Sequence, residues 1–85
     1  MRQWGTEGSG EGQFNCPYGV VVSGDEVLVT DINNNRVQVF SLDGSYKRQW
    51  GGEGEGAGQP NAPDGIAVSE GEVFVASEHR IQVFR

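Results

Sequence analysis

The feature that most limits what this chain can fold into is that it is written twice. Arg2-Gln3-Trp4-Gly5 returns as Arg48-Gln49-Trp50-Gly51, an offset of 46 residues. The same offset carries Gly12-Gln13 to Gly58-Gln59, Asn15 to Asn61, Pro17 to Pro63, Gly19-Val20 to Gly65-Ile66, and Glu26-Val27-Leu28-Val29 to Glu72-Val73-Phe74-Val75. Between residues 1–31 and 47–77, 17 of 31 positions are identical. Beyond Asp31 the offset falls to 44, matching Arg36-Val37-Gln38-Val39-Phe40 with Arg80-Ile81-Gln82-Val83-Phe84. One unit is therefore two residues shorter between its second and third apolar runs. A period of ~40–50 residues belongs to units that cannot bury their own apolar surface and must stack on copies of themselves.

Inside each unit the pattern is β throughout. Gly19-Val20-Val21-Val22-Ser23 is a β-branched run closed by Ser23-Gly24-Asp25, a turn composition. Glu26-Val27-Leu28-Val29-Thr30 follows at hairpin distance, and Arg36-Val37-Gln38-Val39-Phe40 alternates polar with apolar. Asp43-Gly44 is a hairpin signal. Tyr46-Lys47-Arg48-Gln49-Trp50 is the most polar run, as suits an outer edge, and residues 51–63 form a glycine-rich connector. Helical spacing of apolar residues is sustained nowhere. The runs are strands a to d in this order. Strands a and b are apolar on both faces, which implies sandwiching between neighbouring sheets. A four-stranded antiparallel meander with an apolar inner end and a polar outer end, repeated at this period, is a propeller blade.

Gly12-Gln13-Phe14-Asn15-Cys16-Pro17-Tyr18-Gly19-Val20, Val27-Leu28-Val29-Thr30-Asp31, Asn33-Asn34-Asn35-Arg36-Val37-Gln38-Val39-Phe40 and the Asp43-Gly44 hairpin together resemble an NHL repeat. The second unit departs from the pattern: Pro60 stands where Phe14 was, Ser77 replaces Asp31, and the Asn run shrinks to Glu78-His79. The resemblance implies a β-propeller, usually six-bladed, used mostly as a binding platform.

The units start out of phase. Residues 2–5 match a strand d, and the last run, Ile81-Gln82-Val83-Phe84-Arg85, is a strand c, so the order is d, abcd, abc. The expected fold is all-β, with residues 1–85 as one two-blade unit. Residues 18–51 form blade 1, residues 64–85 form blade 2 without its own strand d, and residues 2–5 complete a neighbouring blade. Arg2, Gln3 and Trp4 are then the strand that clasps one subunit to the next. Propellers carry about 4–8 blades, so identical two-blade chains close at even totals. Three chains give the family's usual six, and the expected assembly is a cyclic homotrimer, ahead of a tetramer. Met1 aligns with Lys47, an internal repeat position, which fits an excised or designed two-repeat chain. The competing expectation is a fragment of a longer propeller, forming an open arc or an aggregate.

Composition narrows the function. A net charge of −6 repels phosphate backbones and anionic membranes, so nucleic acid and membrane partners are not expected. The longest apolar run, Val73-Phe74-Val75-Ala76, is far short of the ~18–20 residues that cross a bilayer. No apolar stretch follows Arg2, so no signal peptide is visible, and a cytoplasmic location is expected. Cys16 is the single cysteine, which excludes an internal disulfide and a multi-cysteine zinc site; it aligns with Ala62, as a small residue before proline. The glycine-rich stretches at residues 5–12 and 51–58 fit neither phosphate-loop motif, precede no helix, and each carry two glutamates.

His79 is the single histidine, and no serine–histidine–acid set can be built around it. No catalytic residue, cofactor or metal is expected. Asp31 with Arg36 reads as an ion pair between adjacent loops, replaced in the second unit by Glu78 and Arg80. Trp4 and Trp50, equally placed at the end of strand d, read as packing. The expected function is a non-catalytic scaffold. Its top face, built from the d–a and b–c connections, offers Asn15, Tyr18, Asn33, Asn34, Asn35, Asn61, Asp64 and His79 to a protein or peptide. The alternative is a six-bladed propeller enzyme, lyase- or hydrolase-like, with a metal in the central channel, for which this chain offers Asp64 and His79 alone. An RNA-binding module, also implied by the resemblance, is opposed by the acidic charge.

Overall fold

A computed structural model describes residues 3–51, 65–77 and 80–84. Strands β3 (Pro17–Ser23), β4 (Glu26–Asp31), β5 (Arg36–Ser41) and β6 (Tyr46–Gly51) form one antiparallel sheet in sequential order. Strands β7 (Ile66–Ser69), β8 (Glu72–Ser77) and β9 (Arg80–Phe84) form a second. These are strands a to d of the first unit and a to c of the second. The glycine-rich connector ahead of β3 holds a short parallel pair, β1 (Thr6–Glu7) with β2 (Gln13–Phe14). Among the described residues the helical structure is a single 3-10 turn, Ile32–Asn34, and no helix is long and apolar enough to cross a membrane.

The hairpins follow from their turn residues. Ser23 pairs with Glu26, leaving a two-residue loop in which Gly24 takes φ 60°. In the second sheet Ser69 pairs with Glu72, and both loop residues, Glu70 and Gly71, take positive φ, 50° and 80°. Tight two-residue hairpins need such left-handed positions to match the twist of the strands they join.

Register assigns the faces. Pairing of Val21 with Leu28, Leu28 with Val39 and Val37 with Trp50 puts these side chains on one face of the first sheet. Val20, Val22, Val27, Val29, Gln38 and Phe40 take the other, because side chains alternate along a strand. The first face packs on the second sheet: Leu28, Val37, Val39 and Val75 form a buried cluster flanked by Val21, Trp50, Ile66, Val68, Val73 and Phe84. The opposite face buries Val27, Val29 and Phe40 under Phe14 and Tyr46. The first sheet is thus covered across one face and, over β4 and β5, on the other, where Val20 and Val22 of β3 stay exposed.

The two tryptophans make the same contact one repeat apart. Trp50, on β6, lies 5.3 Å from the Phe84 ring across the sheet–sheet interface. Trp4 lies 5.9 Å from the Phe40 ring. Residues 3–5, of the strand d expected at residues 2–5, join no ladder among the described residues. The strand d that is paired, β6, runs along the strand c of its own sheet, β5; the first sheet's β5 edge is already taken by β6.

Candidate binding face

The loops that precede β3 and join β4 to β5 are organised by one buried ion pair. Asp31 ends β4 and Arg36 begins β5, directly opposite each other in the ladder. Both are buried, and the Arg36 Nε donates to Asp31 Oδ2 at 3.0 Å. The rest of the guanidinium fork is spent on the connector. Its Nη1 donates to the Ser9 carbonyl at 2.8 Å and to Gln49 Oε1 at 3.3 Å. Its Nη2 donates to the carbonyls of Gly10, at 2.9 Å, and Gln13, at 2.6 Å. The planar fork makes such multiple capture possible where a lysine could not.

Asp31 completes the clamp from the other side. Its Oδ1 accepts the Asn15 backbone N–H at 2.7 Å, and its Oδ2 accepts the Asn34 side-chain amide at 2.8 Å. Gln38, buried within β5, accepts the Gly12 N–H at 2.9 Å and donates to the Gln13 carbonyl at 2.7 Å. The sequence reading missed this role of Gln38. The signal was present, since a glutamine sits mid-strand between β-branched apolar residues in both units, at Gln38 and Gln82. The ion pair expected between adjacent loops is present, and its main work is to fix the connector.

On this frame the d–a and b–c connections meet. The Asn33 amide donates to Asn15 Oδ1 at 3.1 Å, the Asn33 N–H to the Asn15 carbonyl at 3.1 Å, and the Ile32 N–H to the Cys16 carbonyl at 3.2 Å. Asn15, Asn33 and Tyr18 are exposed together on this side. Asn34 and Asn35 are spent inside the loop. The Asn34 side chain also donates to the Gly8 carbonyl at 3.0 Å. Asn35, in the left-handed region at φ 53°, closes the 3-10 turn by donating its N–H to the Ile32 carbonyl. Cys16 is exposed and also left-handed, at φ 70°. Gln3 is exposed beside Trp4. Arg2, Asn61, Asp64, His79 and the Glu78 expected to stand in for Asp31 lie outside the described residues. Among the described residues no three His, Cys, Asp or Glu side chains converge as metal ligands would.

A second ionic cluster sits elsewhere on the first sheet. Glu26 receives Lys47 at 2.7 Å and a two-pronged contact from Arg48 at 2.8 and 3.0 Å. The hydrogen bonds from Arg48 and then Lys47 hold its carboxyl down at about 2, against an ordinary 4.5. Asp43, held by the Ser41 hydroxyl and Ser45 in the β5–β6 turn, is likewise lowered to about 2. Between those limits the unfolded chain binds more protons than the folded one, so stability falls as pH drops from about 4.5 towards 2. A Glu26→Gln variant is expected to show a shallower fall in melting temperature over this window. The difference should shrink in high salt, because the pair is partly exposed. An unchanged slope at low salt would remove Glu26 from the acid response.

The NHL repeat family matches residues 14–40, from Phe14 beneath the first sheet to Phe40 near the end of β5. This chain carries an NHL repeat. It is 46% identical over 46 residues to the B-box type zinc finger protein ncl-1 of Caenorhabditis elegans, a match covering 53% of this chain and 5% of that protein. It is 46% identical over 44 residues to Protein lin-41 of the same organism, covering 51% and 4%. Against Protein wech of Drosophila melanogaster it is 54% identical over 43 residues, covering 49% and 5%. Each of these matches spans at most 5% of the relative's length. In the second unit, outside the NHL match, Ser77 and Arg80 are ladder partners just as Asp31 and Arg36 are.

Proposed function

We propose that this chain is a non-catalytic β-propeller scaffold, two NHL blades that close a ring with identical copies and present the Asn15, Asn33 and Tyr18 side to a protein or peptide. Three chains give six blades. The observation that carries this reading is that the two bare faces of the chain are the two halves of a contact it already makes. Val20 and Val22 are 65% and 60% exposed, and their repeat equivalents Ile66 and Val68 pack on the first sheet. Ile81 and Val83 are 63% and 49% exposed, while their equivalents Val37 and Val39 are wholly buried at 0%. Ile81 and Val83 of one copy therefore fit Val20 and Val22 of the next, as Val37 and Val39 fit Ile66 and Val68 within the chain.

Such a contact is heterologous, so it must close into a ring to avoid a filament. Covering an aliphatic side chain fully is worth about 1.5–3 kcal/mol, so covering four that are half exposed contributes roughly 4 kcal/mol per interface before strand pairing is counted. The binding role rests on how polar groups are used. Asp31, Arg36, Gln38 and Asn34 are committed to the connector, whereas Asn15, Asn33 and Tyr18 are neutral and exposed, with Asn15 and Asn33 bonded to each other. An aromatic with amides on a preformed surface suits peptide recognition at low entropic cost.

Light scattering with size-exclusion chromatography tests the scaffold. The expected mass is three times 9.2 kDa, about 28 kDa. A compact species of 9.2 kDa that melts cooperatively at micromolar concentration overturns it. Peptides selected from a random library against the ring are expected to lose binding on combined Tyr18→Ala and Asn33→Ala substitution, with the mass unchanged.

A further inference from the structure

We infer that the two sheets of one chain hold between them a binding site for a small organic acid, its carboxylate against Arg48 and Lys47 and its apolar tail against Leu28, Trp50, Val68 and Val73. The site lies within a single chain and stands apart from the ring reading above.

The cavity lies where the sheets pack, at the end where β3 turns into β4 and β7 into β8. It measures about 220 Å³, room for several waters or for one compact molecule in their place. Leu28 and Trp50 of the first sheet and Val68 and Val73 of the second give it apolar walls. Ser23, Glu26 and Arg48 line its polar side. Register explains the mixture. Ser23 pairs with Glu26 and Val39 with Arg48, two residues along from the pairs of Val21 with Leu28 and Val37 with Trp50. The apolar face that packs on the second sheet therefore ends in charged side chains.

A β-bulge sets the charge. Val39 pairs with Arg48 and Phe40 with Tyr46, which leaves Lys47 as an extra residue without a partner across the ladder. Bulges re-aim side chains that alternation would send to opposite faces. Lys47 and Arg48, consecutive in sequence, accordingly meet on one carboxylate. Lys47 Nζ at 2.7 Å and Arg48 Nη1 at 2.8 Å share Glu26 Oε2, and Arg48 Nη2 takes Oε1 at 3.0 Å. The Arg48 fork alone satisfies that carboxylate, so Lys47 is a surplus cation, in a chain of net charge −6. The neighbouring acids stay outside the cavity. Glu72 adjoins the inward Val73 and so falls on the far face of the second sheet. Asp25 and Glu70 are exposed at the hairpin tips, where solvent screens them.

The indole is the independent sign of a ligand. Trp50 lines the cavity, and its Nε1 is buried without an acceptor. Buried N–H groups are nearly always paired, so an orphan calls for an acceptor that the protein does not supply. An organic acid meets both demands, with an anionic acceptor for the donors and a tail for the apolar walls.

Titration of the full chain with isocaproate, followed by the Trp50 indole N–H resonance, tests this, and Trp4→Phe assigns the signal. The resonance is expected to shift saturably. Isocaproamide, which lacks the charge, and acetate, which lacks the tail, should each bind roughly tenfold more weakly, through loss of a charged hydrogen-bond partner or of buried methylenes. Two substitutions around Glu26 Oε2 should act in opposite directions. Lys47→Gln removes the surplus charge and should weaken binding roughly fivefold, whereas Glu26→Gln frees both cations and should tighten it by a similar factor. Equal binding of the amide would make the cavity an apolar hole with no acid site. Equal binding of acetate would make it a surface charge contact, and a resonance that never moves would leave the cavity to water. Each of these results overturns the inference.

Discussion

Replacing Asp31 with alanine is expected to remove most of the stability of the first sheet, not merely to loosen a loop. Arg36 would be left as a buried cation without its counter-ion. Breaking a buried pair in this way costs about 3–5 kcal/mol, because the remaining charge is still desolvated. The Asn15 N–H would lose its acceptor and the Asn34 amide one of its two, at about 1–3 kcal/mol for each group kept from water. Against a typical domain stability of ~5–15 kcal/mol, the sum brings the chain near its unfolding midpoint at room temperature. Urea unfolding followed by circular dichroism measures this directly. The paired change Asp31→Leu with Arg36→Met is expected to recover only the part due to the uncompensated charge, since the Ser9, Gly10 and Gln13 carbonyls and the Asn15 N–H still lose their partners. A single Asp31→Ala variant within about 1 kcal/mol of the parent, the scale of an exposed pair, would mean that the clamp adds nothing beyond a surface contact.

The same clamp explains how much could be read before the fold was known. Repetition carried the architecture: a β-branched run, a Ser-Gly turn, a second run, an alternating run and an Asp-Gly hairpin occur in order, and the sheet follows that order as β3 to β6. Strand b, apolar on both faces, is buried on both, as Leu28 and Val27, neighbours on opposite faces, show, whereas strand a keeps Val20 and Val22 exposed on its outer face. The loops were harder for a physical reason. Asparagine serves equally as an exposed recognition amide, a loop-stapling donor and a residue tolerant of left-handed backbone. Asn33 is exposed and bonded to Asn15, Asn34 staples the loop to Asp31 and Gly8, and Asn35 takes the left-handed position, and nothing in three identical letters separates them. Gln38 was hidden differently: its partners are backbone groups of residues 12 and 13, and backbone partners leave no trace in a sequence. Periodicity likewise could not reveal the β1–β2 pair, whose strands are two residues long.

Trp50→Ala is expected to be the most damaging change at the contact between the sheets, and its repeat twin Trp4→Ala turns that loss into a test of closure. Removing a packed tryptophan costs about 3–5 kcal/mol, from lost burial and the cavity left behind. Trp50 stands between Val37 and Phe84 with its ring largely covered, so the full cost applies in a single chain. Trp4 covers Phe40 but is itself 38% exposed at the open end of the chain, so its removal costs less there. In a closed ring the two positions become equivalent, since each tryptophan lies on a strand d paired within one blade and packed on the phenylalanine of the next. Melts of both variants across a concentration series separate the cases. At concentrations where the ring forms, the two losses should converge, and on dilution the Trp4→Ala loss should shrink while the Trp50→Ala loss persists. A Trp4→Ala effect that stays small at every concentration means that its outer side is never covered, and the two open faces then belong to something other than a copy of this chain.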